Sequence, residues 1–499
     1  MKGTGRLEAR ATSASFDGKQ KRLRYLCRPS KSLAYCVMSD IIVTFVYRLK
    51  LIGMSSMDVT TKTEKKNDYV FKAPRGTEDV LPGKWELWRL LENTGRQVFD
   101  LCGYYEIRTP VFEDTRLFVR SIGEVTDIVE KEMYTFADSE DSSITLRPES
   151  TAPVMRAYLE YELHKIKKFQ KFYYIGPQFR KERPQAGRLR QFHQMGIEAV
   201  GANDPLLDVE TISVATRIFD RIGLEGYKVK INSIGCEKCR PVFRNILKEK
   251  LCEHEKGLCE LCQSRLNRNV FRILDCKNEK CKAISYHMPS INDYLCVECQ
   301  VHAKSVREAL LEIGIPYIAD AHLVRGLDYY TKTVYEISHS SLGARDAICA
   351  GGRYDNLIAD IGGPSIGSVG FAIGMEATIL AIENVMAKKN KPVAQDMLCS
   401  SPLVYIISMG EETKKQSFHL LNMIRKSDLS ADFDYEGRSI KAQMRTANKV
   451  GAKYVIMLGP DESARGDVKI KLMETSEEVT MKQSDVLTWL LGRHTPSKC

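Results

Sequence analysis

Alternating apolar and polar positions predict an antiparallel hairpin over 172–201, FYYIGPQFRKERPQAGRLRQFHQMGIEAVG. Two runs rich in aromatic and apolar residues flank a long, basic loop. On the returning strand, a period of two places Phe192, Gln194, Gly196 and Glu198 on one face. An amide and a carboxylate on either side of a glycine leave room for a small polar ligand, and the basic loop suits phosphate or a nucleic-acid backbone. A solvated hairpin tip is the competing interpretation.

The segment before the hairpin begins with a predicted helix. An apolar stripe predicts this helix over 82–102, and Gly103 is placed to end it. The strand that follows, 104–112, contains Pro110. A proline belongs on an edge strand or at a break, so a partner could dock here.

A second strand leads directly into a helix. Residues 145–148 predict the strand, and the helix begins at about Ala152. Glu149 and Thr151 occupy the junction. They form either a helix cap or a corner that recognises an anion and an amine.

The region 321–376 combines aromatic and glycine-rich patterns. A loop with Arg325, Tyr329 and Tyr330 precedes the alternating strand TVYEIS, and an arginine beside paired tyrosines suits a small-ligand pocket. The runs AICAGGRYDNLI and SIGSVGFAIGM are apolar and predict two further strands. Their glycines let the sheet backbone approach a flat ligand such as a base.

Residues 387–402 predict a linker, and strands alternate with helices beyond it. This alternation predicts a small α/β domain with a largely parallel sheet. One helix, predicted over 438–450, has a basic face. A solvated face and an RNA-backbone contact both remain open for it.

Nine of the 15 cysteines fall between Cys236 and Cys299. Eight of them form close pairs: Cys236 and Cys239, Cys259 and Cys262, Cys276 and Cys281, and Cys296 and Cys299. Such pairs place thiolates at the spacing of tetrahedral Zn²⁺, so four pairs predict two structural sites of four ligands each. The pairing order is not readable, and buried reduced cysteines without metal are the alternative.

The charge of the chain is uneven. Residues 1–53 carry 11 Lys and Arg against three Asp and Glu, a net +8 of the total +10. Any nucleic-acid surface on the folded body is therefore a local patch. Residues 1–57 are interpreted as a basic extension, either disordered, an organellar transit segment or the product of a misassigned start. No run approaches the ~18 apolar residues of a membrane span, and the clustered cysteines favour a reducing, cytoplasmic location.

Several common catalytic motifs are absent from the sequence. It contains no P-loop, no GxGxxG after a strand and no HExxH. The segment 363–367 matches the nucleophile-elbow pattern, but a loop precedes it and a strand follows it, so this interpretation is rejected. Any ATP chemistry must use a different phosphate-binding arrangement.

Five blocks together resemble one family. FRKERPQAGRLRQFHQMGIE, LVRGLDYYT, AGGRYD, GFAIGME and the segment 103–112 are similar, in order and spacing, to bacterial-type histidyl-tRNA synthetase. The resemblance implies an α+β fold: an antiparallel, six-stranded class II catalytic sheet with helices over 69–395, a Cys-rich helical insertion over 232–315 and an α/β anticodon-binding domain over 400–495. It also implies a homodimer, with Pro110 in the motif that contributes to the interface.

The resemblance implies a role for individual positions. Histidine would be bound by Glu149, Thr151, Arg180, Gln194, Glu198, Arg325, Tyr329 and Tyr330. The catalytic residues would be Arg180 and Arg325, both at the α-phosphate. ATP would also contact Phe192, which stacks on adenine, and Glu182, near its exocyclic amine. Gln185, Arg188 and Arg190 would contact the tRNA acceptor end.

The implied activity is that of a histidine–tRNA ligase, which uses ATP with Mg²⁺ and tRNA(His). The third motif departs from the family, since Ala377 follows GME where an arginine contacts ATP. This difference predicts weakened ATP binding unless another cation substitutes. Two alternatives are a histidine-sensing regulatory subunit of ATP phosphoribosyltransferase and a zinc-dependent RNA-binding module. The first usually lacks the anticodon domain and the LVRGLDYY signature; the second leaves the histidine-pocket residues unexplained.

Overall fold

The computed structural model describes residues 71–124, 126–343, 346–388 and 401–494. The predicted extension over 1–57 lies outside the described residues. No described helix is long and apolar enough to cross a membrane.

The predicted first helix, α1, spans Trp85–Leu101. Its apolar stripe packs into the main core, and Gly103 ends it with a positive φ of 73°. The strand predicted over 104–112 is broken in two, into β1 (Tyr105–Glu106) and β2 (Phe112–Asp114). The break lies at Pro110, which lacks the N–H that a continuous ladder needs.

A small antiparallel sheet follows. It is formed by β2, β3 (Tyr134–Ser139) and β4 (Ser142–Leu146), with β4 in the middle. Helix α2 (Thr115–Ile122) connects β2 to a π-helical turn before β3. Two further helices, α3 (Thr151–Glu160) and α4 (Leu163–Ile166), lead to the main sheet.

The main sheet has eight strands. They are β1, β5 (Gln170–Phe179), β6 (Gln191–Val200), β7 (Tyr227–Ser233), β8 (Tyr317–Ala319), β9 (Thr331–His339), β10 (Ala347–Arg353) and β11 (Ser368–Gly374). Their spatial order is β1-β5-β6-β11-β10-β9-β7-β8. The six inner strands are antiparallel, as predicted, whereas the short edge strands β1 and β8 pair in parallel.

Two long helices cover one face of this sheet. Helix α5 (Pro205–Arg221) starts where Asp204 accepts a hydrogen bond from the Leu206 N–H at 2.8 Å, with a proline at its first position. The second helix, which continues β11, is Met375–Lys388. Their apolar faces join the strands in one buried core.

The Cys-rich insertion is helical, with α6 (Cys239–Cys252), α7 (Glu260–Arg268), α8 (Glu279–Tyr286) and α9 (Val297–Glu312). Its small core contains Phe243, Leu247 and the buried cysteines Cys239, Cys262, Cys276, Cys281 and Cys299. The end of α9 packs instead into the main core, through Val306 and Leu310. A short helix, α10 (Leu357–Asp360), precedes β11. The helix Met375–Lys388, which follows β11, is α11.

The C-terminal part has a five-stranded sheet of order β13-β12-β14-β15-β16. Its elements are β12 (Val404–Ser408), α12 (Glu411–Arg425), β13 (Ala431–Phe433), α13 (Ile440–Lys449), β14 (Tyr454–Leu458), α14 (Pro460–Arg465), β15 (Asp467–Leu472), β16 (Glu478–Lys482) and α15 (Val486–Leu491). The first three strands are parallel, but β15 and β16 are antiparallel, so the prediction of a largely parallel sheet is wrong for this edge. Only eight residues separate β14 from β15, fewer than the dozen or so that a parallel crossover requires.

Candidate active site

On the face predicted for the returning strand of the hairpin, Phe192 and Gln194 line a cavity in the main sheet. In the register of the sheet, Gln194 lies opposite Gly374 and Glu198 lies opposite Gly370. A Cβ at Gly370 would stand 2.3 Å from Glu198 Oε2. The glycine therefore makes the space that the Glu198 carboxylate occupies.

Glu198 is buried and accepts two hydrogen bonds. Thr151 Oγ1 donates to its Oε1 at 2.7 Å, and the Tyr354 hydroxyl donates to its Oε2. Burial raises the pKa of Glu198 well above its ordinary value; the bond from Thr151 opposes this shift, and the nearby charge of Glu149 adds to it. A cationic ligand would place a positive charge beside this carboxylate and so would stabilise its ionised form.

Glu149 lies beside Glu198 and caps helix α3. Its oxygens accept the backbone N–H groups of Thr151 at 2.6 Å and Ala152 at 3.0 Å. Burial raises the pKa of Glu149, and these donors oppose the shift. The cap interpretation of this junction is therefore confirmed, and the same carboxylate also lies beside the pocket.

Three tyrosines form an aromatic wall beside these carboxylates. The ring centroids of Tyr329 and Tyr330 are 4.7 Å apart, and that of Tyr354 is 5.5 Å from Tyr329. All three rings are buried. These buried rings and carboxylates are side chains of the kind that bind a small, polar, partly aromatic ligand.

A cavity of about 140 Å³ is lined by Gln194 and by three arginines, two of which, Arg180 and Arg325, are held by protein acceptors. Arg180 Nε donates to the Pro148 carbonyl at 2.9 Å, and its guanidinium lies 5.2 Å from the ring centroid of Phe192. Arg325 Nη1 donates to Glu336 Oε2 at 2.8 Å. Both arginines are thus fixed in place.

The cavity also presents unsatisfied polar atoms. Among the described residues, the buried Gln194 Oε1 and Arg325 Nε have no hydrogen-bond partner. Unsatisfied buried polar atoms are costly, so a ligand that bonded to these two atoms would recover part of that cost. Glu182, Arg188 and Ala377 line the same cavity.

The residues predicted to contact tRNA do not all lie in this cavity. The hairpin loop folds back on itself, with backbone bonds of 3.0 and 2.9 Å between Gln185 and Arg188. Arg188 lines the cavity, whereas Gln185 lines a neighbouring one. Arg190 N donates to the Gly76 carbonyl at 2.7 Å, and so anchors the loop to the segment before α1.

The cysteines form two groups of four. In each group the sulfur atoms all lie within 4.8 Å of one another: Cys236, Cys239, Cys296 and Cys299 in the outer group, and Cys259, Cys262, Cys276 and Cys281 in the inner group. The first and fourth cysteine pairs of the sequence form one group, and the second and third pairs form the other. The inner group therefore lies within the sequence span of the outer group, an order called nested below. Sequence spacing alone left this pairing open.

Several residues of the site were not predicted from the sequence. Tyr354 was quoted within the AGGRYD block but given no role, although it follows a glycine-rich strand that faces the pocket. Glu336, on β9, holds Arg325, and Arg147 donates to the carbonyls of Thr109 at 2.9 Å and Pro110 at 3.3 Å. Their partners are distant in sequence, so no local pattern could reveal them.

Six inner antiparallel strands with two fixed arginines at a cavity are the arrangement of a class II aminoacyl-tRNA synthetase. A family model described as histidyl-tRNA synthetase matches residues 76–378, and one for an anticodon binding domain matches residues 403–493. The chain belongs to the histidyl-tRNA synthetase family. The predictions of family, fold class and an aminoacyl-tRNA ligase enzyme are confirmed.

The similar proteins cover most of the chain. The histidine–tRNA ligase of Halothermothrix orenii is 49% identical over 416 residues, which are 83% of this chain and 98% of that protein. That of Desulforamulus reducens is 47% identical over 420 residues, 84% of this chain and 99% of that protein. The crystal structure of apo S. aureus histidyl-tRNA synthetase is 36% identical, with a TM-score of 0.70, and covers 84% of this chain and 99% of that one.

Proposed function

We propose that the chain activates L-histidine with ATP to histidyl-adenylate and transfers the histidyl group to the 3′ end of tRNA(His). The observation that carries this proposal is the pair of buried carboxylates and the tyrosine wall beside a cavity with two fixed arginines. Membership of the histidyl-tRNA synthetase family supports it. The anticodon-binding match over 403–493 argues against a histidine-sensing regulatory subunit.

Histidine binds in the polar pocket. The carboxylates of Glu149 and Glu198, with Thr151, receive its ammonium and imidazole groups, and Gln194 offers its unsatisfied oxygen as an acceptor. Tyr329 and Tyr330 enclose the imidazole ring. The mixture of acceptors and aromatic faces favours a cationic, aromatic amino acid over aliphatic ones.

ATP occupies the cavity next to histidine. Phe192 stacks on adenine with Glu182 near its amine, and Arg180 and Arg325 bracket the α-phosphate. The histidine carboxylate attacks this phosphate in line, and pyrophosphate leaves. Because both guanidiniums are already held by protein acceptors, they stabilise the developing charge without reorganisation. Mg²⁺ enters with ATP as the counter-ion of the phosphates.

The tRNA uses the hairpin loop and the C-terminal part. Gln185, Arg188 and Arg190 contact the acceptor end, and residues 400–495 form the anticodon-binding domain. Within the catalytic domain, 69–395, residues 232–315 form the insertion. The exposed Lys441 and Arg445 of α13 offer cations to the RNA backbone.

Each group of four cysteines holds one structural zinc ion. Four sulfurs at ~2.3 Å from a tetrahedral zinc lie ~3.8 Å apart, whereas disulfide sulfurs are bonded at ~2.05 Å. The Sγ–Sγ distances are 3.7 Å for Cys236–Cys239, 3.8 Å for Cys236–Cys296 and 3.9 Å for Cys259–Cys276. Backbone N–H groups also point at the sulfurs, as from Cys296 to Cys239 at 3.1 Å. With all four positions filled, the ions are structural.

The protein acts as a cytoplasmic homodimer. The small sheet presents an apolar face on which Phe112 and Phe136 are each 51% exposed. The register of the sheet and its period of two place both rings on the same face, with Ile144 and Leu146 between them. A second copy covers this face.

Histidine-dependent exchange of pyrophosphate into ATP tests the activation step. The wild-type chain should show exchange with histidine and none with an aliphatic amino acid. Glu198→Gln should raise KM for histidine with less effect on KM for ATP, because the carboxylate faces only the amino acid. Absence of exchange in folded wild-type protein would overturn the proposed function.

A further inference from the structure

We propose that the Cys-rich insertion positions the histidine pocket, and that Arg240 is the positioning residue that joins both zinc sites to the loop of Tyr329 and Tyr330. This inference rests on the histidine pocket and the zinc sites of the proposed function. It gives the two metal ions a role in substrate affinity, although neither faces the pocket.

The outer zinc site is attached to the strand that follows the pocket loop. Ile234 N donates to the Lys332 carbonyl at 2.8 Å, and Lys332 N donates to the Gly235 carbonyl at 2.7 Å. Cys236 is the next residue. The site therefore begins beside a backbone pairing that lies two residues after Tyr330.

Arg240 connects three parts of the molecule. It follows Cys239 of the outer site, and its guanidinium lies 5.5 Å from the ring centroid of Phe271, between two ligand pairs of the inner site. Its Nη1 donates to the backbone carbonyls of Asp328 at 3.3 Å and Tyr330 at 3.0 Å. One side chain thus ties both zinc-bound segments to the backbone of the aromatic wall.

A second link starts from the inner site. Helix α7 begins next to Cys259, and at its end Asn269 Nδ2 donates to Asp328 Oδ1 at 3.0 Å. Arg265 Nη2 donates to Asp127 Oδ2 at 2.6 Å. The insertion therefore also holds the side chain of Asp328, and it is hydrogen-bonded to the turn before β3.

These contacts predict a specific kinetic effect. None of the insertion side chains in these links lines the cavity assigned to ATP. Loosening them moves the tyrosine wall. Arg180 stays held by the Pro148 carbonyl, and Arg325 stays held by Glu336 on β9, so the contacts assigned to ATP remain in place. Loss of the insertion's hold should therefore weaken histidine binding selectively.

The test compares Arg240→Ala with Arg244→Ala, an exposed arginine one turn further along α6. Pyrophosphate exchange gives KM for histidine, KM for ATP and kcat, and elemental analysis gives zinc per chain. Arg240→Ala should raise KM for histidine about tenfold, with KM for ATP within about twofold and zinc unchanged at two per chain. Arg240→Lys should be intermediate, and Arg244→Ala should match the wild type. Cys262→Ser, with one zinc lost, should also raise KM for histidine.

The outcomes separate this inference from the proposed function. An unchanged KM for histidine in Arg240→Ala, or an equal rise in both KM values, overturns the inference while wild-type exchange upholds the proposed function. A wild type without exchange overturns both. If Arg240→Ala does not fold, Asn269→Ala, which removes only the hydrogen bond to the Asp328 side chain, must show the same selective rise.

Discussion

At the scale of single residues, Glu198 combines two opposing demands. It is 1% exposed, yet the proposed ligand requires its negative charge. Burial holds its pKa well above the ordinary carboxylate value. Over the pH range between these two pKa values, Glu198 in the free protein stays protonated, whereas an exposed carboxylic acid would be ionised. The ammonium or imidazolium of histidine favours ionisation, so binding should lower this pKa.

Histidine binding should therefore release a proton from Glu198. The release occurs between the ordinary carboxylate pKa, ~4.3, and the raised pKa of the free protein, and histidine affinity should rise with pH across this window. Calorimetric titration in two buffers of different ionisation enthalpy measures the protons released. The Glu198→Gln protein should release fewer protons at each pH within this window. Subtracting its proton release from that of the wild type cancels the protons that histidine itself gains or loses. Equal release in both proteins would contradict the assignment.

Ala377 stands where the resemblance to the family predicts an arginine. It lines the same cavity as Arg180, Arg188 and Arg325, and an arginine here would add a fourth guanidinium. Ala377→Arg should lower KM for ATP by roughly 10–100-fold, the value of one charged phosphate contact of ~1.5–3 kcal/mol. KM for histidine should not change. An unchanged KM for ATP in pyrophosphate exchange would show that another cation already fills this role.

At the scale of elements, a buried ion pair joins α5, α9 and β10. Arg353 Nε donates to Asp208 Oδ2 at 3.0 Å, and His302 Nε2 lies 3.4 Å from Asp208 Oδ1. Arg353 also donates to the carbonyls of Ala202 at 3.1 Å and Asp204 at 3.0 Å. The pair therefore holds the end of the insertion and the start of α5 against the sheet.

Removal of this arginine should be strongly destabilising. Arg353→Leu leaves the Asp208 carboxylate buried with only His302 beside it, at an expected cost of ~3–5 kcal/mol in the free energy of unfolding. Lys84→Ala is the control, because it breaks an exposed pair with Glu78 and should cost less than ~1 kcal/mol. Denaturant unfolding measures both. Similar losses in the two variants would contradict the role of burial.

The sequence predicted local features of these elements well and distant pairings less well. Periodicity placed Gln194 and Glu198 on one face, and the structure agrees because strand alternation is a local property. The proline at 110 indicated an edge or a break, but not that its two halves join different sheets. The role of Tyr354 and the nesting of the cysteines depend on contacts between segments far apart in the chain, which no local pattern records.

At the scale of the whole molecule, the apolar face of the small sheet indicates how two copies would meet. In a two-fold symmetric interface each side chain occurs twice, once from each copy, so one charged substitution removes two buried rings. Phe136→Glu should weaken dimerisation by at least about 100-fold, since burial of one Phe is worth ~1.5–3 kcal/mol. Phe418→Glu, on α12, is the control, because that ring is 46% exposed outside the small sheet. Sedimentation velocity measures both variants, and a monomeric wild type would contradict the interface.

The nested order of the cysteines implies an order of assembly. Cys236 and Cys296 are 60 residues apart, whereas Cys259 and Cys276 are only 17 apart. A ribosome completes all four cysteines of the inner group before it reaches Cys296, so at the proposed inner site a zinc ion could bind while synthesis continues. A zinc ion bound there would shorten the loop that the proposed outer site must close, and so would reduce the entropy lost. In a cell short of zinc, a chain halted part-way would carry its single ion at the inner site.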